Sequence, residues 1–282
     1  MIGGLINGLL NFSAPLLLSG LGALLSDISG ALGIFIEGFM ISGAFFSWVF
    51  SIWTGSALIG TLLSSLLAAG TGWALARYVR ISGANPFIAG LALNLAASGV
   101  TLTLSAMWFG TRGVILNPGI RIPAQSVFTT IAFSFAIIIA LSLSRTVPGL
   151  RLKASGLEPD AASDRGIRPG YYREAAWALA AFLAALAGAA LTFRVGAYAP
   201  GGIAGRGWIA LAAVYLGFRK VWGVALACIV FSFADRLGFG IQALDGLPAT
   251  ATLGLPSLIA LMLYSVSMWF RSKQRGRTND SP

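Results

Sequence analysis

The chain has no histidine and one cysteine, Cys228, in 282 residues. Imidazole catalysis and His-ligated metals are thereby excluded, as are an intrachain disulfide and any Cys-rich metal site. Acidic residues are also scarce, nine Asp and Glu against 19 Lys and Arg, and no paired-carboxylate constellation for enzyme chemistry lies together in the sequence. Charged residues make up only 10% of the chain and hydrophobic ones 57%, whereas a soluble domain carries roughly a quarter charged residues. With a mean hydropathy of +0.83, this reads as an integral membrane protein. No polar stretch is long enough to form a soluble domain, so residues 1–282 are read as one membrane domain. The net charge of +10 sits at the ends of apolar segments, where orientation in the membrane explains it, and nucleic-acid binding drops out. The opening MIGGLINGLL lacks the positive region of a secretory signal and reads as the start of a retained span.

A hydrocarbon core of about 30 Å takes roughly 20 apolar residues per helix, and backbone groups there must be satisfied within the segment. The sequence therefore predicts an all-α polytopic bundle of eight to nine membrane segments, at about 3–25, 31–53, 56–78, 86–110, 126–147, 174–194, 206–218, 222–240 and 255–271. The seventh is too short to cross comfortably and is expected as a half-helix or a tilted helix inside the bundle. The 36 glycines, with small-residue runs such as AALAGAA (184–190), predict close backbone approach between helices.

One long polar segment precedes the tail, Arg145 to Arg173. Pro148 and Pro169 mark its ends, and between them Leu152, Ala154, Leu157, Ala161 and Ala162 recur at roughly helical spacing. A short amphipathic helix outside the bilayer is expected over this loop (148–172), with an apolar stripe that wants a partner. If the loop is cytoplasmic, alternation of the spans puts Arg77, Arg80, the loop's own cations, Arg219, Lys220, Arg271, Lys273, Arg275 and Arg277 on the same side. Arg112, Arg121, Arg194, Arg206 and Arg236 fall elsewhere. That asymmetry predicts the N-terminus outside and the C-terminus, with its tail 272–282, in the cytoplasm.

Glu37 lies in an apolar segment, where a carboxylate costs a few kcal/mol unless it is paired or faces water. The neighbouring Gly30, Gly33, Gly38 and Gly43 point to an interrupted helix. Glu37 either serves transport directly or holds two helices in register by bonding the amides of a break or Asn94. Asn94, the one amide deep in the fourth span, either glues helices or lines a path. Asn85-Pro86 reads as a helix start; Asn7, Asn11 and Pro15 read as packing features. In PGGIAGRGW, the glycines and Arg206 precede the short helix without the Lys-Ser/Thr of a nucleotide loop, so no nucleotide site is expected in this chain. Gly205 and Gly207 permit a tight turn into a half-helix, and Arg206 anchors near an interface or pairs with a neighbour. Asp235-Arg236 could partner other helices or an extracellular protein, and reads first as a solvated interfacial pair.

Three blocks carry a resemblance. SGALGIFIEGFMISGAF resembles a stretch that normally reads Ser-Gly-x-x-Asn-Ile-Gly-x-Glu-Gly-Met-Met, GLRLKASGLEPDAASDRGI resembles Gly-Leu-x-Arg-Ala-x-Gly-Glu-Asn-Pro-x-Ala-Ala, and PGGIAGRGWIALAAVYLG resembles a Gly-Arg-Gly-Phe-Ile-Ala-Leu-Ala block. IAGLALNLAASGVT adds a weaker fourth. Together, over about residues 12–240, they resemble the permease subunits of bacterial ATP-binding-cassette (ABC) importers, and among these the shorter permease of nucleoside or simple-sugar systems in the branched-chain amino acid and ribose permease family. The resemblance implies a non-catalytic permease without cofactor in the bacterial inner membrane, in contact with lipid. It implies a second permease chain, in a heterodimer or homodimer, ATPase subunits on the cytoplasmic loop, and an extracytoplasmic solute-binding lipoprotein. Gly156, Leu157, Glu158, Pro159, Ala161 and Ala162 fall in the block that would couple to the ATPase. Glu37, Gly38, Asn94, Gly205, Arg206 and Gly207 fall in membrane blocks near the pathway. Gly33 stands where the family usually has Asn, Phe35 where it has Gly, and Leu157-Glu158 where it has Glu-Asn. The competing expectation is an ion-coupled secondary transporter working without an ATPase, which would need more intramembrane ionisable groups than the one clearly central Glu37.

Overall fold

The computed structural model describes residues 2–117, 119–203 and 205–242. Among them the chain is helical: α1 (Ile2–Ile28), α2 (Ile36–Thr54), α3 (Ala57–Ser82), α4 (Pro86–Phe109), α5 (Gln125–Arg145), α6 (Val147–Leu157), α7 (Pro159–Asp164), α8 (Pro169–Val195), α9 (Arg206–Leu216) and α10 (Val221–Gln242). Six of these, α1 to α5 and α8, are long and apolar enough to cross a membrane. The expected short segment is α9, and the expected span at 222–240 falls in α10. The ninth expected span, 255–271, and the tail 272–282 lie outside the described residues.

The bundle is built around α8, whose small residues let other backbones come close. Ala180, Ala181, Ala184, Ala185, Ala187 and Ala189 are all fully buried, and α1, α2 and α3 pack on them. The pairings fix the directions. Arg194 donates to the Asn11 carbonyl at 2.7 Å at one end of α8, and Arg173 to the Ser29 carbonyl at 3.4 Å at the other, so α1 runs antiparallel to α8. Arg80 at the end of α3 meets Glu174 in the first turns of α8 at 2.7 Å, so α3 is antiparallel as well. α2 runs with α8, from Phe35 on Trp177 to Thr192 on the Ala44 carbonyl. The Cys228 thiol on the Leu16 carbonyl sets α10 against α1.

The ends of α1, α3, α5 and α9 therefore share one face with the starts of α4, α8 and α10, and with α6 and α7. Arg77, Arg80, Arg145, Arg151, Lys153, Arg165, Arg168, Arg173, Arg219 and Lys220 gather on this loop face.

Boundaries differ from the sequence expectation in two informative places. α8 starts at Pro169 rather than 174, because proline suits a first turn and Glu174, which would be costly in lipid, is satisfied by Arg80. α2 starts at Ile36 rather than 31, because residues 29–35 form an irregular re-entry with Gly30 at φ 87°.

Candidate functional site

Two irregular segments enter the bundle from opposite faces. Residues 29–35 turn back from the loop face, and residues 196–203 descend from the other face after α8. Each ends in a helix that starts inside the protein. From Pro86 to Asn94 and from Pro169 to Trp177 the helical rise is about 12 Å, and these residues touch the start of α2: Asn94 bonds Gly38, and Trp177 packs on Phe35 with ring centroids 4.6 Å apart. The start of α2 thus lies inside the bundle, about 12 Å along α4 and α8 from their loop-face starts. There it meets the start of α9.

Neither helix caps itself. α9 begins after Gly205, which is left-handed at φ 79° and has no side chain to offer the first amides. The cap comes from α2: the Glu37 carboxylate accepts from the Gly205 amide at 2.9 Å and from the Gly207 amide at 2.6 Å, one oxygen each. A carboxylate at a helix N-terminus satisfies orphan amides and the helix dipole together, which is what allows a charged group at this depth. The two chains approach so closely that a methyl on Gly207 would lie 2.6 Å from the Glu37 carboxylate and 2.7 Å from its α-carbon.

α2 is capped in the same borrowed manner by α4. The Asn94 side-chain oxygen accepts from the Gly38 amide at 2.7 Å, and its amide nitrogen donates to the Ile34 carbonyl at 2.8 Å. Asn94 therefore spans the junction of the irregular segment and α2. Of the expected possibilities for Glu37, bonding to the amides of a break is realised, though the break is the distant one at 205–207. Glu37 and Asn94 act on consecutive caps and are brought together around Gly38.

Arg206 turns back to the Gly202 and Ile203 carbonyls at 3.1 and 3.3 Å and reaches Asp235 of α10 at 3.8 Å. Sequence reading favoured a solvated Asp235–Arg236 pair and kept partners on other helices as its alternative. The structure instead gives Asp235, only 17% exposed, to Arg206 across two helices, while Arg236 extends towards Gly8 of α1. Adjacent residues on a helix point about 100° apart, so they cannot share one partner direction. Asn11 is a junction, accepting from Thr129 of α5 at 2.6 Å through its side chain and from Arg194 through its carbonyl.

On the loop face, the expected single amphipathic helix is two. α6 ends at Leu157, and Pro159 opens α7 after Glu158 breaks the run at φ −139°, ψ 80°. The apolar stripe divides with it. Leu152 and Ala162 are buried against the bundle, whereas Leu157 is 75% exposed and Glu158, Pro159 and Ala161 are exposed. Gly156 lies at the contact with α1, where an added methyl would strike the Ile28 carbonyl and come within 2.8 Å of the Gly30 amide.

Three residues in the polar framework were not singled out by sequence reading. Asp27, at the end of α1 and 7% exposed, pairs with Arg219 at 2.5 Å and accepts from the Tyr215 hydroxyl at 3.4 Å. The signal for Asp27 was there, a carboxylate closing an apolar run just before Ser29-Gly30. Arg219 read only as a topological cation. Among the described residues no three His, Cys, Asp or Glu side chains group to hold a metal. The polar side chains of the site hold helix ends.

Residues 5–268 match the family described as the branched-chain amino acid transport system permease component. A guanosine ABC transporter permease protein of Bacillus subtilis is 27% identical over 89% of this chain and 88% of its own length. A nucleoside ABC transporter permease protein of Lactococcus lactis is 27% identical over 93% of this chain and 91% of its own. A third, from Haloferax volcanii, is provisionally named a glucose ABC transporter permease protein and is 27% identical over 86% of this chain and 79% of its own. No solved structure matches significantly.

Proposed function

This chain belongs to the branched-chain amino acid transport system permease family and is a permease subunit of an ABC importer; from that premise we propose that it forms half of a pathway for a nucleoside. The solute assignment rests on the two near full-length relatives named for guanosine and nucleosides. A simple sugar is the second choice. The partner permease, identical or not, supplies the other half, and an extracytoplasmic lipoprotein delivers the solute.

The observation that best supports a transport mechanism is the meeting of α2 and α9 inside the bundle, with each N-terminus capped by another helix. Helix starts held by side chains can separate and re-form as units, which gives a pathway two packings to alternate between. Binding of ATPase subunits shifts their populations to the extent that it favours one packing. The loop 148–172, with Leu157 and Ala161 outward, is read as the coupling block. The cations on its face support reading it as cytoplasmic, and with it goes the reading of a cytoplasmic C-terminal tail and eight to nine segments in all. Ion coupling by this chain alone finds little to work with, because both oxygens of Glu37 are already taken by amides.

Competition in proteoliposomes tests the solute. With ATPase, second permease and binding lipoprotein present, guanosine and other nucleosides should compete for uptake of labelled guanosine and glucose should not. Saturable glucose uptake insensitive to nucleosides would reverse the assignment.

A further inference from the structure

α9 is fastened at both ends to the two flanks of a single break. At its start, Glu37 from just beyond residues 29–35 holds the Gly205 and Gly207 amides. Past its end, Arg219 grips Asp27 from just before those residues, through the carboxylate at 2.5 Å and through the Asp27 carbonyl at 3.2 Å. Tyr215, in the last turn of α9, adds its hydroxyl at 3.4 Å. Arg219 makes this grip from a left-handed backbone, φ 57°, next to Phe218 at φ 56°. Such conformations are strained in non-glycine residues and persist where the surroundings hold them. Over the 11 residues of α9 the rise is about 16 Å, so a stiff rod bridges a stretch of irregular backbone.

The loop touches this same stretch. Gly156 of α6 and Gly30 exclude each other's side chains, and Gly156 lies against the Ile28 carbonyl, one residue from Asp27. A displacement of α6, which also packs on α5 and α8, therefore acts directly on the backbone beside Asp27.

We propose that α9 is a strut that sets the opening of the 29–35 break, and that Asp27 and Arg219 are positioning residues that carry motion of the loop into the bundle. The proposal rests on reading residues 148–172 as the coupling block. It makes Asp27 and Arg219 necessary for the ratio of solute moved to ATP consumed, and leaves ATP hydrolysis itself to the partner subunits.

The test is uptake and hydrolysis measured together in the complete reconstituted complex, for wild type, Asp27→Asn, Arg219→Gly, Arg219→Lys and Phe218→Gly, with Leu157→Asp alongside. Arg219→Gly removes the guanidinium but suits the left-handed backbone. Solute per ATP should fall about tenfold, within the usual range of coupling energies, in Asp27→Asn and Arg219→Gly. It should recover substantially in Arg219→Lys and stay at the wild-type value in Phe218→Gly. A wild-type ratio in both Asp27→Asn and Arg219→Gly overturns the proposal. If those variants assemble poorly, hydrogen exchange on the wild-type complex with and without ATP and vanadate decides it. The amides of 29–35 and 206–216 should change together, and a change in one segment without the other overturns the strut. Failure of the underlying reading looks different: Leu157→Asp then keeps a wild-type ratio, which removes the loop's coupling role whatever the strut variants do.

Discussion

Glu37 and Asn94 show how a polar side chain is tolerated in a membrane interior. Each meets two backbone groups at a helix end that belongs to another segment, so each removes orphan donors or acceptors that lipid could not satisfy. Hydrogen bonds to a charged group are worth roughly 1.5–3 kcal/mol each. Glu37→Ala leaves two amides unserved, and it should lower the stability of the purified permease by about 2 kcal/mol or more and reduce uptake at least in proportion. Glu37→Gln keeps one acceptor but turns an NH2 group towards the second amide, so it should fall between wild type and Ala. Thermal unfolding in detergent, followed by intrinsic tryptophan fluorescence, checks the order; an Ala variant as stable and active as wild type would remove the cap from the account. Asn94→Leu should weaken the start of α2 by about 1–3 kcal/mol through the unpaired Gly38 amide and Ile34 carbonyl, read by the same unfolding measurement.

At the level of elements, hydropathy and breakers located most helices, because a membrane span is specified by its own composition. α9 was legible as a short segment, since GIAGRGW brings glycine to its start and eleven residues cannot cross. The start of α2 was not: residues 31–35 are as apolar as the helix after them, and their irregular path is set by Asn94 and by the Phe35–Trp177 contact, both distant in sequence. For the same reason the partner of Glu37 could be described as the amides of a break but not placed at 205–207. The loop's division into α6 and α7 follows from Pro159, yet the spacing of Leu152, Leu157, Ala161 and Ala162 read as one stripe because a period cannot report a change of axis. The part that remains outward is a patch containing Leu157 and Ala161. Leu157→Asp or Ala161→Asp should leave folding within about 0.5 kcal/mol, as exposed sites usually do, while cutting uptake severely and detaching hydrolysis from transport. Pull-down of the ATPase with the purified variant, beside uptake, checks this, and undiminished coupled uptake in both variants would contradict the assignment.

The described residues form a helical framework organised on α8, in which Glu37 and Asn94 hold the starts of other helices. The loop face carries the cations and the exposed Leu157–Ala161 patch, the opposite face carries the Arg194–Asn11 contact, and α9 runs from the Arg206–Asp235 pair inside the bundle to the loop face. On the proposed reading, the energy for transport comes from the partner ATPase subunits. The most direct measurement is uptake of labelled nucleoside into proteoliposomes holding this chain with its partner permease and ATPase subunits, with binding lipoprotein outside, comparing ATP against a non-hydrolysable analogue and against an imposed proton or sodium gradient. Uptake should require ATP hydrolysis and the lipoprotein and be indifferent to the gradient. Uptake driven by the gradient through this chain without the ATPase would contradict the account.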